Sequence, residues 1–234
     1  MENGTVPTDT SFPLPQPSDL FGKGSVAFVT GGTKGLGYHT AIGLGKRGIT
    51  VVIAARDTTK GQEAAAELVK QGLPVEFVQL DGTNQASIDA AVKAVADKYG
   101  KLDILVNNAG VYLGGGLEET PEILRTVFET NVIAPFQIVK GFLPLLRKAE
   151  HPRVMNVSSG LGSLHFHSQP DLPFPTNYAY SSSKAALNMI TVQLARELAA
   201  DKIKVNATDP GFCETDMTSG LGAPRSAEQG ALVT

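Results

Sequence analysis

A tyrosine and a lysine stand four residues apart in the segment YAYSSSKAALNMITVQLAREL, residues 178–198. On a helix that spacing puts Tyr180 and Lys184 on one face, a turn apart. A tyrosine, with an ordinary pKa of about 10, is a poor proton-transfer group at neutral pH. A lysine ammonium beside it favours the phenolate and depresses that pKa. The pair is then suited to moving a proton to or from a substrate oxygen. Ser159, just past a β-branched run, has the hydroxyl to hold that oxygen. The three serines between the pair compete with the backbone for hydrogen bonds and so lower helix propensity. Being small, they leave the helix face open to a neighbouring ligand. Taken alone, a Tyr-x-x-x-Lys pair is common on helices and means nothing. It gains meaning only from its surroundings.

Those surroundings alternate short β-branched runs with longer alanine- and leucine-rich stretches. Strands are predicted at 25–31, 49–56, 74–81, 102–110, 153–159 and 203–211. Their nearly continuous apolar character suits parallel strands covered on both faces. Helices are predicted over 36–47, 58–71, 85–99, 121–148 and 178–200, with the fourth interrupted near Pro135 and Pro144. Such alternation implies one α/β domain: a doubly wound parallel sheet with right-handed crossovers and helices on both faces. Residues 1–23 carry four prolines and no apolar run, and predict a flexible arm or a strap ahead of a catalytic domain over 24–234.

The first strand runs directly into GTKGLGYHTA, where Gly31, Gly35 and Gly37 form G-x-x-x-G-x-G. Such a loop makes a tight turn, lets a pyrophosphate approach the backbone, and opens a helix whose first N–H groups are unpaired. A glycine cluster can also be a plain surface turn; its place between first strand and first helix favours a dinucleotide. At the end of the second strand a carboxylate would accept the ribose hydroxyls of NAD. There the chain has Ala55 followed by Arg56, whose planar fork suits the 2′-phosphate of NADP, and Lys34 adds a second positive charge. The alternative is that both are ordinary solvated charges and that Asp57 is the ribose ligand. Asp81 ends the third strand, placed to accept from an adenine amino group. Asn107 and Asn108 end the fourth, where buried amides need partners on both atoms; Asn107 is as suited to a structural role as to cofactor contact.

Composition narrows the classes. The formal charge is −3 with both signs interspersed, so no basic tract points to nucleic acid and no basic amphipathic stripe to a membrane surface. Cys213 is the single cysteine, which excludes an internal disulfide and a thiolate metal cluster. His165 and His167 alternate in a loop without a nearby cysteine, so no metal is expected. A reducing, cytoplasmic setting is the default.

With TGGTKGLG (30–37), NNAG (107–110), NVSSGLG (156–162), YSSSK (180–184) and DPGFCETDM (209–217) in order, the sequence resembles the short-chain dehydrogenase/reductase family over about residues 24–234. Within it, AARD, PGFCETDM and PRSAEQGA are most similar to NADPH-dependent carbonyl reductases. The resemblance implies a Rossmann-like fold and hydride transfer between NADP(H) and a ketone or aldehyde, reversible as alcohol oxidation. It implies Tyr180 as acid/base and Ser159, rather than Ser158, as the catalytic serine. It implies Lys184 as a ligand of the nicotinamide ribose and Asn131 as the holder of a relay water. Cofactor contacts fall on Gly31, Thr33, Lys34, Gly35, Leu36 and Gly37; on Arg56; and on Asp81 and Gly82. The remainder fall on Asn108, Ala109 and Gly110, and on Pro210, Gly211, Phe212 and Thr215 near the nicotinamide. A homodimer or homotetramer is expected, with a small carbonyl or alcohol as substrate.

Two departures from the family pattern stand out. Ser159 and Tyr180 are 21 positions apart, against roughly a dozen in family members, and the extra residues within 160–177 predict a flap or part of the substrate wall. The chain also ends at Thr234, where family members continue into a further strand. Two rival functions remain: an NADP-binding sensor or scaffold without catalysis, and an NAD-dependent alcohol dehydrogenase. The intact Asn131, Ser159, Tyr180 and Lys184 argue against the first, and Ala55–Arg56 against the second.

Overall fold

The computed structural model describes residues 21–169 and 174–234. Most of the expected N-terminal arm, through residue 20, and residues 170–173 of the expected flap lie outside the described residues.

Six strands form one sheet: β1 (Val26–Thr30), β2 (Thr50–Ala55), β3 (Val75–Gln79), β4 (Ile104–Asn107), β5 (Arg153–Val157) and β6 (Lys204–Thr208). Their order is β3-β2-β1-β4-β5-β6, and every neighbouring pair is parallel. The fold is thus α/β and Rossmann-like. Alternation along β1 sends Val26 and Phe28 to one face and Ala27 and Val29 to the other. Phe28 meets Phe142 with ring centroids 4.6 Å apart, while Val29 packs with Ile53, Leu68 and Val106. Each such side chain, fully buried, contributes about 1.5–3 kcal/mol. Among the described residues β6 is an edge, and Lys204 and Asn206 face outward around buried Val205.

On the two faces lie α1 (Gly35–Lys46), α2 (Thr58–Lys70), α3 (Gln85–Tyr99), α4 (Pro121–Phe128), α5 (Ala134–Leu146) and α7 (Tyr178–Glu197). A short α6 (Leu164–His167) stands in the long connection before α7. After β6, a two-residue pair of β7 (Cys213–Glu214) and β8 (Arg225–Ser226) precedes α8 (Ala227–Ala231). The break expected near Pro135 is present as a π-helical turn, Glu129–Ile133, joining α4 to α5. The break expected at Pro144 is absent. α5 runs through it, because the carbonyl it leaves unpaired belongs to exposed Lys140, where water can take the bond.

The chain reverses direction about β1, which pairs with both β2 and β4, so a crevice opens at the carboxyl ends of these strands. Register then sets the neighbours along that edge. Asn107 stands opposite Asn156, and Val157 opposite Thr208. The glycine loop, NNAG, Ser159 and Asp209–Gly211 therefore all emerge on one side of the sheet.

Candidate active site

The turn from β1 to α1 is held by the strand beside it. The Thr30 hydroxyl accepts from the backbone N–H groups of Asn108 and Ala109, both at 3.0 Å. The Asn108 amide donates back to the carbonyls of Thr30, at 2.8 Å, and Gly31, at 3.1 Å. A Cβ on Gly37 would stand 2.4 Å from the Gly31 oxygen and 2.5 Å from the Asn108 amide, so only glycine fits there. Asn108 is thus a brace for the glycine loop.

The helix this loop opens differs from its neighbours. Asp57, Asn84, Thr120 and Asn177 cap α2, α3, α4 and α7 by accepting first-turn N–H bonds. At the start of α1 no side chain accepts such a bond and no acidic residue lies in the first turn. Its donors and positive pole face the crevice uncompensated, which is what a pyrophosphate requires. The residues present fit a dinucleotide.

Around the crevice the other expected contacts divide. Arg56 is exposed at the end of β2, and its charge reaches Asp81 at the end of β3. Asp57, the alternative ribose ligand, is turned away: its Oδ1 accepts from the Lys60 N–H at 3.0 Å as the cap of α2. Asp81 Oδ1 accepts from the Thr83 hydroxyl, at 2.7 Å, and N–H, at 3.0 Å. These bonds, with Arg56 beside them, hold its carboxyl below the usual range. Lys34 is ion-paired with Asp216 across the crevice mouth, both side chains being exposed. A solvated pair of this kind is weak, so the ammonium stays available. Thr215 lies against the glycine loop, its Cγ2 3.4 Å from where a Gly35 Cβ would be.

Lys184 is buried, with Nζ donating to the Val157 carbonyl at 2.8 Å and standing 5.5 Å from the Tyr180 ring centroid. Burial without an anionic partner brings its pKa down to about 8. The expectation that Lys184 depresses the Tyr180 pKa needs correction. Burial dominates and pushes the phenol up to about 12; the Ser159 hydroxyl opposes this, while Asp209 and Tyr112 add to it. At neutral pH Tyr180 is therefore a proton donor in waiting, next to a mostly protonated lysine. Of the two serines, Ser158 is buried and bonded to Asn188 at 2.6 Å, leaving Ser159 at the phenol.

Asn131 sits in the π turn, a common location for functional irregularity. Its side chain is fully engaged elsewhere: Oδ1 accepts from the Val111 N–H, and Nδ2 donates to the Val111 carbonyl, both at 2.9 Å, and to Ser183 at 3.1 Å. Ser183 in turn donates to the Tyr180 carbonyl at 2.7 Å. With both amide atoms engaged, the Asn131 side chain braces the loop after β4 against α7. Behind the site, Asn107 donates to Asn156 at 2.9 Å and Asn156 to Thr191 at 2.8 Å, a structural chain between β4, β5 and α7.

Sequence reasoning missed what holds Tyr180 in place. The four first-turn N–H groups of α7 all have acceptors. The Glu119 carboxylate takes those of Tyr178, at 3.0 Å, and Ala179, at 2.7 Å. Asn177 takes those of Tyr180, through its side chain at 2.6 Å, and Ser181, through its carbonyl. The Asn177 amide also donates to the carbonyls of Leu113 and Gly114. Gly114 has a φ of +75°, and a Cβ there would lie 2.6 Å from the Glu119 side chain. At the root of the same loop, Tyr112 packs on Tyr180 with ring centroids 5.0 Å apart. The GGG run at 114–116 was the available signal, since it marks a loop needing unusual backbone.

The described part of the insertion forms a 3-10 turn (Gly160–Gly162) and α6, with the His167 ring bonded to the Leu161 carbonyl. Phe166 packs on Phe174, and Phe174 edge-on against Phe212 of the loop after β6. The described insertion thus carries a run of packed aromatic rings that reaches the loop after β6.

Comparison with known proteins agrees with this geometry. Residues 25–226 match the family model described as short chain dehydrogenase. The short-chain dehydrogenase anuI of Penicillium roqueforti is 37% identical over 217 residues, covering 88% of this chain and 85% of that protein. The NADPH-bound carbonyl reductase from chicken fatty liver superposes with a TM-score of 0.81 at 29% identity, covering 90% of this chain and 88% of that one. RhlG of Pseudomonas aeruginosa, solved with NADP, gives 0.75 at 36% identity, covering 84% and 75%. With this match and this identity, the chain belongs to the short-chain dehydrogenase family.

Proposed function

We propose that the protein is an NADPH-dependent reductase of ketones or aldehydes, reversible as an alcohol oxidiser. The observation that carries this reading is Tyr180, protonated and held by its own clamp, on the same sheet edge as the uncapped start of α1. Arg56 and Lys34 supply the charge a 2′-phosphate prefers, and the carbonyl reductase and RhlG structures described above hold NADPH and NADP respectively. When bound, the nicotinamide supplies hydride to the carbonyl carbon. Ser159 holds the carbonyl oxygen through its hydroxyl. Tyr180 gives that oxygen its proton as negative charge develops, completing the alcohol. Lys184 supplies positive charge behind the phenol and compensates the phenolate left behind. The family resemblance assigns Asn131 to holding a water through which the proton is replaced.

Among the described residues no helix is long and apolar enough to cross a membrane. A chain whose single cysteine has no partner for an internal disulfide suits a reducing setting, and the reading takes the cytoplasm as its default. Exposed Ile133, Phe136, Met189 and Val192 lie on neighbouring elements and suit pairing of two copies, measurable by sedimentation velocity.

The test is loss of NADPH absorbance across a panel of ketones and aldehydes, repeated with Tyr180→Phe in a single turnover. Wild type should turn over, and Tyr180→Phe should bind NADPH normally yet lose about 10²–10⁴ in hydride transfer. Near-normal chemistry in Tyr180→Phe would reject this proton donor.

A further inference from the structure

Resting on the carbonyl-reductase reading, we infer that the preferred carbonyl substrate carries a protonated amine, recognised by the Asp209 carboxylate beside the aromatic wall of Phe166, Phe174 and Phe212. Asp209 follows β6 directly, and the register that sets Val157 against Thr208 brings it next to Ser158 and Ser159 on the neighbouring strand. Its Oδ2 stands 2.9 Å from where a Cβ on Gly160 would be, immediately beyond the serine that holds the reacting oxygen. Its Oδ1 accepts from the Gly211 N–H at 2.9 Å, which fixes the carboxylate in this position. It is an exposed charge at the mouth of the site and makes no salt bridge among the described residues.

The surroundings strengthen the sign. Phe212, three residues on, meets Phe174 at 6.2 Å, and Phe174 meets Phe166 at 5.9 Å. Aromatic faces attract cations and an apolar substrate body alike. The groups facing Tyr180 are Lys184 on its own helix, Tyr112 after β4, Ser159 after β5 and Asp209 after β6. Arg225 is the nearest rival charge; its guanidinium lies against Gly211 and donates to the Gln229 carbonyl. Arg225 and Asp209 both act on Cys213, and Asp209 also acts on the phenol. An anionic substrate therefore meets a carboxylate of its own sign where the bond is made.

Asp209→Asn removes the charge and keeps the oxygen that accepts from Gly211. The probes are the para-aminomethyl, para-hydroxymethyl and para-carboxylate derivatives of acetophenone, with kcat/KM referred to the neutral one in each enzyme. Wild type should favour the cation over the anion by about tenfold or more. Asp209→Asn should shrink that ratio by about threefold to tenfold, the loss expected for one partly screened charge at close range. As a second readout, the phenol pKa falls when the carboxylate is neutralised, so the rising limb of alcohol oxidation moves to lower pH. Reduction of the neutral ketone with an unchanged cation-to-anion ratio in Asp209→Asn would overturn this inference and leave the reductase reading standing. Absence of hydride transfer to all three in wild type would overturn this inference, and absence across the whole ketone and aldehyde panel would overturn both.

Discussion

The two halves of the sheet hold their ligand-facing residues by different means. On the β1–β3 side, the features that face the nucleotide are local: a glycine loop, an uncapped helix start, and an arginine one residue past a strand. On the β4–β6 side, the bonds span long stretches of chain: Val111 to Asn131, Asn131 to Ser183, Glu119 to Tyr178, Lys184 to Val157. Binding a phosphate needs backbone donors and a positive charge within a turn or two. Aiming a phenol needs several elements fixed against one another. The first problem is solved by short motifs and the second by topology.

Lys184→Ala tests the contrast most severely, because this residue sits beside the phenol and the resemblance also assigns it the nicotinamide ribose. Turnover is expected to fall by about a thousandfold, near the middle of the range for acid–base groups, with NADPH affinity also reduced. Single-turnover kinetics at verified cofactor saturation separates the two losses. In wild type, reduction should decline as pH rises through about 8, where the buried ammonium loses its proton, rather than near the ordinary lysine value. A limb above pH 10 would show that the charge on Lys184 is not the group being titrated.

Glu119→Ala probes the topological half alone. Freeing two first-turn N–H groups lets the start of α7 fray, and a small misplacement of Tyr180 lowers kcat by about tenfold to a hundredfold. NADPH affinity measured by fluorescence should hold, and Glu119→Gln, which keeps one acceptor, should recover part of the rate. Equal loss of binding and rate would mean that Glu119 supports the whole domain.

Arg56→Ser probes the local half. NADPH should bind about tenfold to a hundredfold more weakly and NADH little differently, since one charge-assisted contact to phosphate is lost. Equal weakening of both cofactors would assign Arg56 to the adenine side. The smallest effect belongs to Asp216→Asn. Releasing Lys34 from its exposed ion pair should tighten NADPH by no more than about threefold, and isothermal titration should show no change for NADH.

The same division decides what was legible beforehand. Strand and helix positions came from periodicity, and Arg56 and the glycine loop from residue type and place. Asp57 could also have been read locally, as a carboxylate placed to cap the helix that begins at Thr58. Glu119 could not. Its partners are 59 and 60 residues away, and nothing in its neighbourhood says which helix it caps. The Tyr180 pKa was misjudged for a related reason. Spacing puts Lys184 within reach, but the burial that outweighs its charge is a property of the packed site. Asn131 was located by its motif, while the engagement of its side chain with Val111 depends on how the π turn meets the β4 loop.

The clamp on α7 also frees the stretch before it. Tyr180 takes its bearings from Glu119, from the Asn177 bonds to Leu113 and Gly114, and from a backbone bond between Gly116 and Thr176. All of these lie at or after residue 176 on the helix side, so among the described residues the bonds that aim the phenol fall outside 163–169. Changes within 163–169 are therefore expected to leave the reaction geometry fixed. Exchanging those residues is expected to retarget the enzyme among carbonyl compounds, leaving the machinery of proton transfer where it is.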